Sequence, residues 1–345
     1  MTTIKDIAKL AGVSTATVSR YLNQPEIVKE KTRNSIAQAI TDTGYTPNTL
    51  AQSFRRGQSK ELYVVVEKLK EYFYNDFTQG LTNQVLTSGL QVKLIIVNNT
   101  NSERALTKII ENEPPSGLIF LDSANQAIVE KALNNNIPVI LNQARTPFKS
   151  INNHAYLSFI QIDFQRGLQI AIEHLVNLGH QQIGLLSSTQ LSFQNKFYSE
   201  FLPKAFVEHN LNFDSSNIHI HTHSYNEPIT DAEFKQKHTD EFLEHNSAII
   251  CATNELALVL IKVLSDRQLK VPENISIISL EDHPINQLAN PSISSIAYNY
   301  RQLGAKVAVE LQDLLQSNND ENATITDVIE CKLIERNSTR AINNK

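Results

Sequence analysis

Apolar residues Ile4, Ile7, Ala8, Leu10 and Ala11 recur at the spacing of one helical face. Gly12 supplies the backbone freedom of a tight turn, and Ser14 is placed to cap a following helix with its hydroxyl. Val18 and Leu22, four apart, turn that second helix back onto the first. Small and polar residues then remain outward, crowded toward its first turns: Thr15, Ala16, Ser19 and Arg20, with Thr17 and Asn23 as further candidate DNA contacts. Two short helices joined at a glycine, the second exposing its first turns, predict a helix-turn-helix able to read the major groove. The same periodicity also fits a helical hairpin packed on a larger domain. A third helix is predicted over residues 28–43, with Ile36 and Ile40 inward and Gly44 as its stop. Pro47 interrupts, Asn48 can cap again, and residues 49–56 form a helix too short to be stable alone before Gly57 ends it.

From residue 61 the period switches. Runs of β-branched and apolar residues at 62–66, 92–97, 118–121 and 137–141 alternate with helical stretches near 73–88, 103–112 and 126–135. A second pass follows, with strands at 159–162, 183–187, 218–221, 248–252 and 275–280. Helices near 164–178, 195–209, 231–244 and 255–267 separate them. This βα alternation predicts parallel, doubly wound sheets, and two such lobes in series place a ligand cleft at the carboxyl ends of their strands. The expected class is α/β: an all-α head at 1–46, a hinge helix and linker at 47–60, and a two-lobe body. The first lobe is expected at 61–160 plus about 293–322 and the second at 161–292 plus about 323–340, with interlobe strands near Phe159 and 292–297.

Charge sharpens that division. The 345 residues carry a net charge of −5, yet residues 1–60 hold nine Lys and Arg against four Asp and Glu. A basic head on an acidic body suits a polyanion at one end. Lys29, Arg33, Arg55 and Arg56 join Arg20 as candidate phosphate contacts. Cys251 and Cys331, far apart in apolar settings, read as reduced thiols. With a polar start and no long apolar run, a cytoplasmic protein is expected.

Chemistry is sparse. There is no nucleophile elbow, phosphate-cradling glycine loop or His-Glu-x-x-His, so no enzyme and no cofactor is expected. His219, His221 and His223 alternate along one strand face and could ligate a metal, but no further ligand or supporting carboxylate accompanies them. The other reading is a polar strand face leading to the cleft rim, and no metal site is assigned.

The wording of the chain adds a family. Ile4-Lys-Asp-Ile-Ala, Ala11-Gly-Val-Ser and Thr17-Val-Ser-Arg resemble the opening of the LacI family of bacterial transcription regulators. Asp163, Leu178-Gly-His-Gln-Gln-Ile-Gly, Val271-Pro-Glu-Asn-Ile-Ser and Arg336-Asn-Ser-Thr-Arg resemble later family phrases. The tail and Asn290-Pro-Ser-Ile-Ser-Ser-Ile-Ala resemble its cytidine repressor branch most.

The resemblance implies a ligand-responsive repressor that binds a pseudo-palindromic operator as a homodimer, on a periplasmic-binding-protein-like body. The segment from Asn48 would be the hinge helix that orders on DNA. Phe54 would be its apolar wedge into the central base step, with Ala51 small enough for paired hinges to approach; alternatively, Phe54 packs on the body. Tyr72, Phe73 and Tyr74 match a ligand-lining phrase, although core packing fits them equally. Tyr198 stands where the family commonly has a ligand-gripping Arg, and Glu281, with Asp282 next, where it has an Asp. Asn254 with Glu255 replaces an Asn-Asp pair, and Gln143 is a further hydrogen-bonding candidate. Without the fixed cation, an uncharged sugar or nucleoside is the expected effector. The rivals are a small-molecule binding protein, opposed by the basic head, and an α/β enzyme, opposed by the missing catalytic set.

Overall fold

The computed structural model describes residues 4–23, 28–43, 59–67, 73–121, 124–142, 154–188, 192–221, 237–316 and 326–342. The chain divides into two compact units, residues 1–59 and 60–345. The expected hinge helix, with Asn48, Ala51, Phe54, Arg55 and Arg56, lies outside the described residues, as do Tyr72, Gln143 and His223.

The first unit contains α1 (Ile4–Leu10), α2 (Thr15–Asn23) and α3 (Glu30–Thr43). Their small core is Ile7, Ala8, Val18, Ile36 and Ala39, with Ala11, Val13, Tyr21 and Ile40 packed around it. Gly12 takes φ +65°, the left-handed conformation that makes the turn between α1 and α2 cheap for glycine alone. Ser14 Oγ accepts the Thr17 backbone N–H at 3.1 Å, capping α2 as the spacing predicts.

The second unit carries two six-stranded sheets. The first lobe holds β1 (Glu61–Val66), α4 (Phe73–Val85), β2 (Gln91–Ile96), α5 (Thr100–Asn112), β3 (Gly117–Phe120), α6 (Gln126–Asn134), β4 (Val139–Asn142) and β5 (Leu157–Ile162). The chain then enters the second lobe with α7 (Phe164–Asn177), β6 (Ile183–Ser188), α8 (Ser192–Glu208), β7 (Ile218–His221) and α9 (Lys237–His245). Next come β8 (Ala248–Cys251), α10 (Asn254–Asp266), β9 (Ser276–Ser279), α11 (Pro284–Leu288) and β10 (Ser294–Tyr298). Finally α12 (Tyr300–Gln316), β11 (Thr326–Ile329) and β12 (Cys331–Ile334) close the body.

The sheet orders are β11-β5-β4-β3-β1-β2 and β12-β10-β9-β8-β6-β7. The first is parallel throughout, and the second is parallel except for β12, which runs antiparallel to β10. The chain therefore passes between lobes at residues 162–164, 298–300 and 329–331. The second and third passages fall later than the expected 293 and 323. Burial gives the reason: Ile293 and Ile296 are wholly enclosed in the second lobe's core, whereas Ile329 belongs to the first.

Helices α4 and α12 cross on one face of the first sheet at two glycines. A methyl group at Gly80 would overlap the Arg301 carbonyl oxygen, and one at Gly304 the Phe77 carbonyl oxygen. Glycine here permits backbone-to-backbone approach, not a turn.

Several of the family phrases meet at one place. His180 Nδ1 lies 2.9 Å from Ser247 Oγ, and its Nε2 lies 3.1 Å from both Ser276 Oγ and the Arg340 carbonyl oxygen. Thr339 Oγ1 is 3.0 Å from His174 Nε2 and from Ser294 Oγ, and Ser338 Oγ accepts the Ser294 N–H at 2.8 Å. The Arg-x-Ser-Thr-Arg tail is thus a clasp that closes the second sheet, its partners being residues of the strands, of their entry turns and of α7. Burial lowers the proton affinity of both imidazoles, His174 and His180.

Candidate functional site

On the head, Thr15 and Arg20 are exposed on α2, and Lys29, just before α3, is exposed as well. Arg33 is half-buried on α3, and Thr17 is half-buried with its hydroxyl 2.9 Å from Ser14 Oγ. The structure thus spends Thr17 on the cap and leaves Thr15 and Arg20 facing solvent on a helix whose opposite side is anchored by fully enclosed Val18. The side chains of Ala16, Ser19 and Asn23 are not among those described.

In the body, the carboxyl ends of the strands bring together an aromatic run that spans a passage between lobes. Phe73 packs on Tyr74 with ring centroids 4.1 Å apart and on Tyr300 at 5.3 Å. Tyr300 continues to Tyr298 at 5.7 Å, and Tyr298 meets Phe164 edge-on at 5.6 Å. Phe73 and Tyr74 are only 9% and 4% exposed and belong to the first lobe's core, so their rings act as its end wall. Tyr298 presses its hydroxyl against Gly167, where no side chain could fit, and burial holds that phenol far above the ordinary tyrosine range and hence neutral.

The remaining candidates lie in the second lobe. Tyr198 is 6% exposed and sits edge-on to Phe197 at 5.6 Å within that lobe's core. Asn254 is the first residue of α10, whose N-cap is Thr253, with its Oγ1 accepting the Leu256 N–H at 3.3 Å. Glu281 is half-buried just past β9, and its carbonyl oxygen accepts from Asn286 Nδ2 at 3.0 Å. Asp282, its neighbour, is committed elsewhere: Arg336 donates to it at 2.8 Å, and Ser295 Oγ donates at 2.6 Å. The acidic pair after β9 is therefore split, with Asp282 structural and Glu281 the remaining candidate.

Two cations near the passages are paired: Arg166 with Glu173 at 2.9 Å and Arg301 with Asp76 at 3.5 Å. His219 stacks on Phe242 at 5.3 Å, and no group of His, Cys, Asp and Glu among the described residues could hold a metal.

Sequence reasoning missed Tyr298, Tyr300, Phe164 and the Arg336–Asp282 pair. The alternation Tyr298-x-Tyr300 at the end of a strand was the available signal, but which core it faced depended on where the chain changes lobes.

A family model described as "Bacterial regulatory proteins, lacI family" matches residues 3–48. One described as "Periplasmic binding protein-like domain" matches residues 172–339. The chain thus joins a lacI-family DNA-binding head to a periplasmic-binding-protein-like body. It is similar over 98% of its length, at 27% identity, to the whole of the NTD biosynthesis operon regulator NtdR of Bacillus subtilis. It is similar at 24% identity to the transcriptional repressor CytR of Escherichia coli, covering 99% of this chain and 97% of that one.

Among solved structures, the lac repressor dimer bound to operator and the anti-inducer ONPF shares the fold with a TM-score of 0.79, at 22% identity over 99% of both chains. The complex of the regulator CelR with cellobiose does so at 0.68, with 19% identity over 98% of this chain and all of that one. The chain is accordingly a DNA-binding transcriptional regulator with an effector-binding body, and the relatives named are transcriptional regulators. No helix among its described residues is long and apolar enough to cross a membrane.

Proposed function

We propose that this LacI-family regulator is a cytoplasmic repressor without catalytic activity, which binds a pseudo-palindromic operator as a homodimer and responds to a small neutral effector, a sugar or nucleoside. The observation that carries the DNA half is the Ser14-capped helix α2, anchored by Val18 and presenting Thr15 and Arg20 to solvent. Thr15, Ala16, Ser19, Arg20 and Asn23 serve the base edges and nearby backbone, with Thr17 holding the Ser14 cap beneath them. Lys29, Arg33, Asn48, Arg55 and Arg56 serve phosphates, and Ala51 and Phe54 pair and wedge the hinge.

A two-fold protein reads a two-fold site. Support for pairing comes from β2, an edge strand of the first sheet whose Leu94 and Ile96 are 40% and 44% exposed, beside Leu86 at 67%. An apolar edge left in water invites a second copy.

The effector half rests on Tyr72, Phe73, Tyr74, Gln143, Tyr198, Asn254 and Glu281. Aromatic walls with Tyr198 in place of a cation, and with Arg166 and Arg301 already paired, favour an uncharged ring bearing hydroxyl or amide edges. The relative CelR was solved with cellobiose, a neutral sugar. Effector binding shifts the population between DNA-competent and incompetent arrangements of the lobes.

A mobility-shift assay on the DNA upstream of the protein's own coding sequence, with and without matched sugar/sugar-phosphate and nucleoside/nucleotide pairs, tests both halves. Sequence-specific retention altered by the neutral member of a pair is expected. No specific retention refutes the repressor reading, and a response only to phosphorylated members refutes the neutral effector.

A further inference from the structure

Among the described residues, four buried side-chain atoms lack a hydrogen-bond partner: Asn142 Oδ1, Ser158 Oγ, Asn246 Oδ1 and Asn286 Oδ1. A desolvated acceptor without a donor is unfavourable, so each calls for an explanation. Position separates them. Ser158 is the second residue of β5, and Asn246 precedes β8, so both lie toward the amino ends of their sheets, away from the expected cleft. Asn286 sits within the short helix α11. Asn142 is the last residue of β4, at the carboxyl end of the first sheet, and is 2% exposed.

Its surroundings follow from the register. Side chains alternate along a strand, so Asn142 shares the face of Ile140, and it pairs with Ile160 of β5. Ile140 and Ile160 belong to the core cluster that also contains Phe73 and Tyr74, the end wall of the aromatic run. The amide nitrogen of Asn142 donates to the Leu121 carbonyl oxygen, just past β3, at 3.0 Å. That bond holds the carboxamide in one orientation and leaves its oxygen as an acceptor with no donor, at the rim of an otherwise apolar face.

We infer that Asn142 is a specificity-determining residue of the effector cleft, its Oδ1 accepting a hydrogen bond from a hydroxyl or N–H of the bound effector. This rests on the effector reading above and sharpens it: the ligand must offer a donor to the first lobe beside its aromatic face. An ether, a carboxylate or a phosphate edge at that point is rejected, because acceptor would face acceptor.

The test is a ligand-by-protein cycle on the full-length chain. Melting-temperature shifts with D-ribose, cellobiose, cytidine and adenosine, and with the phosphates of ribose and the two nucleosides, select the binder. Calorimetry then compares that binder with its singly deoxygenated analogues on wild type and on Asn142→Leu. The expected result is at least a tenfold loss for one analogue on wild type that disappears on Asn142→Leu, with ligand-free operator affinity unchanged. Should Asn142→Leu fail to fold, Asn142→Ala takes its place in the cycle. Equal losses on wild type and variant for every analogue overturn the role of Asn142 while leaving the effector reading intact. A panel in which nothing binds, or only phosphorylated members bind, overturns the neutral-effector reading and the inference with it.

Discussion

Arg336 offers the sharpest test of how the body holds its shape. Its Nη1 lies 2.8 Å from Asp282 Oδ1, 2.7 Å from the Ile293 carbonyl oxygen and 2.7 Å from Ser295 Oγ. Replacing Arg336 with Met keeps much of the stem and removes the charge. All three acceptors share a cationic donor, and Nη1 has two hydrogens to give, so the set amounts to about two charge-assisted hydrogen bonds, on the order of 3–6 kcal/mol. The Arg336 and Asp282 side chains are 15% and 26% exposed, so water recovers part of the loss, and about 2–4 kcal/mol remains. For a body of this size the melting temperature should fall by roughly 3–7 °C.

Asp282 would keep Ser295 as a partner but lose its counter-charge. Arg336→Met combined with Asp282→Leu should therefore recover a substantial part of the deficit, because the second change removes the stranded carboxylate. Differential scanning calorimetry of wild type, both single variants and the double variant reads the coupling. A fall of less than about 2 °C for Arg336→Met, or strictly additive losses in the double variant, would refute the clasp as an energetic unit.

Other outcomes follow from the same geometry. Arg20→Ala should weaken operator binding by about 1–3 kcal/mol if its guanidinium reads a base, with little change in nonspecific binding; unchanged affinity in fluorescence anisotropy removes Arg20 from the reading face. Phe54→Ala should abolish operator bending while salt-dependent nonspecific binding persists; equal bending by circular-permutation assay would end the wedge assignment. Gly80→Ala should destabilise the first lobe strongly, since the new methyl meets the rigid Arg301 carbonyl and not a side chain that can swing aside; a wild-type melting point would contradict that crossing. Acid should loosen the tail clasp. His174 and His180 have folded proton affinities lowered by burial, so their contribution is complete above the ordinary histidine value of about 6.5 and is lost as pH falls below it toward the folded values. Denaturant midpoints of wild type and His180→Asn that show the same slope between about pH 7 and 5 would refute this.

Local rules made much of the molecule legible. The head follows from the apolar face at Ile7 and Ala8, a glycine turn and a serine cap, all of them short-range and each found in the structure. The βα alternation from residue 61 likewise announces parallel sheets, because strand and helix periods are properties of contiguous residues. What those rules do not contain is which sheet a strand joins. Strands β10 and β11 have ordinary apolar patterns, and only the enclosure of Ile296 in one core and Ile329 in the other assigns them, moving both passages between lobes. The site shows the same divide. Tyr198, Phe73 and Glu281 could be picked out one residue at a time. The aromatic run through Tyr298 and Tyr300, the capture of Asp282 by Arg336 from 54 positions away, and the unmet oxygen of Asn142 are relations between distant segments. Hydrogen bonding and packing are decided by proximity in space, and along this chain proximity is set by the order in which strands enter two sheets.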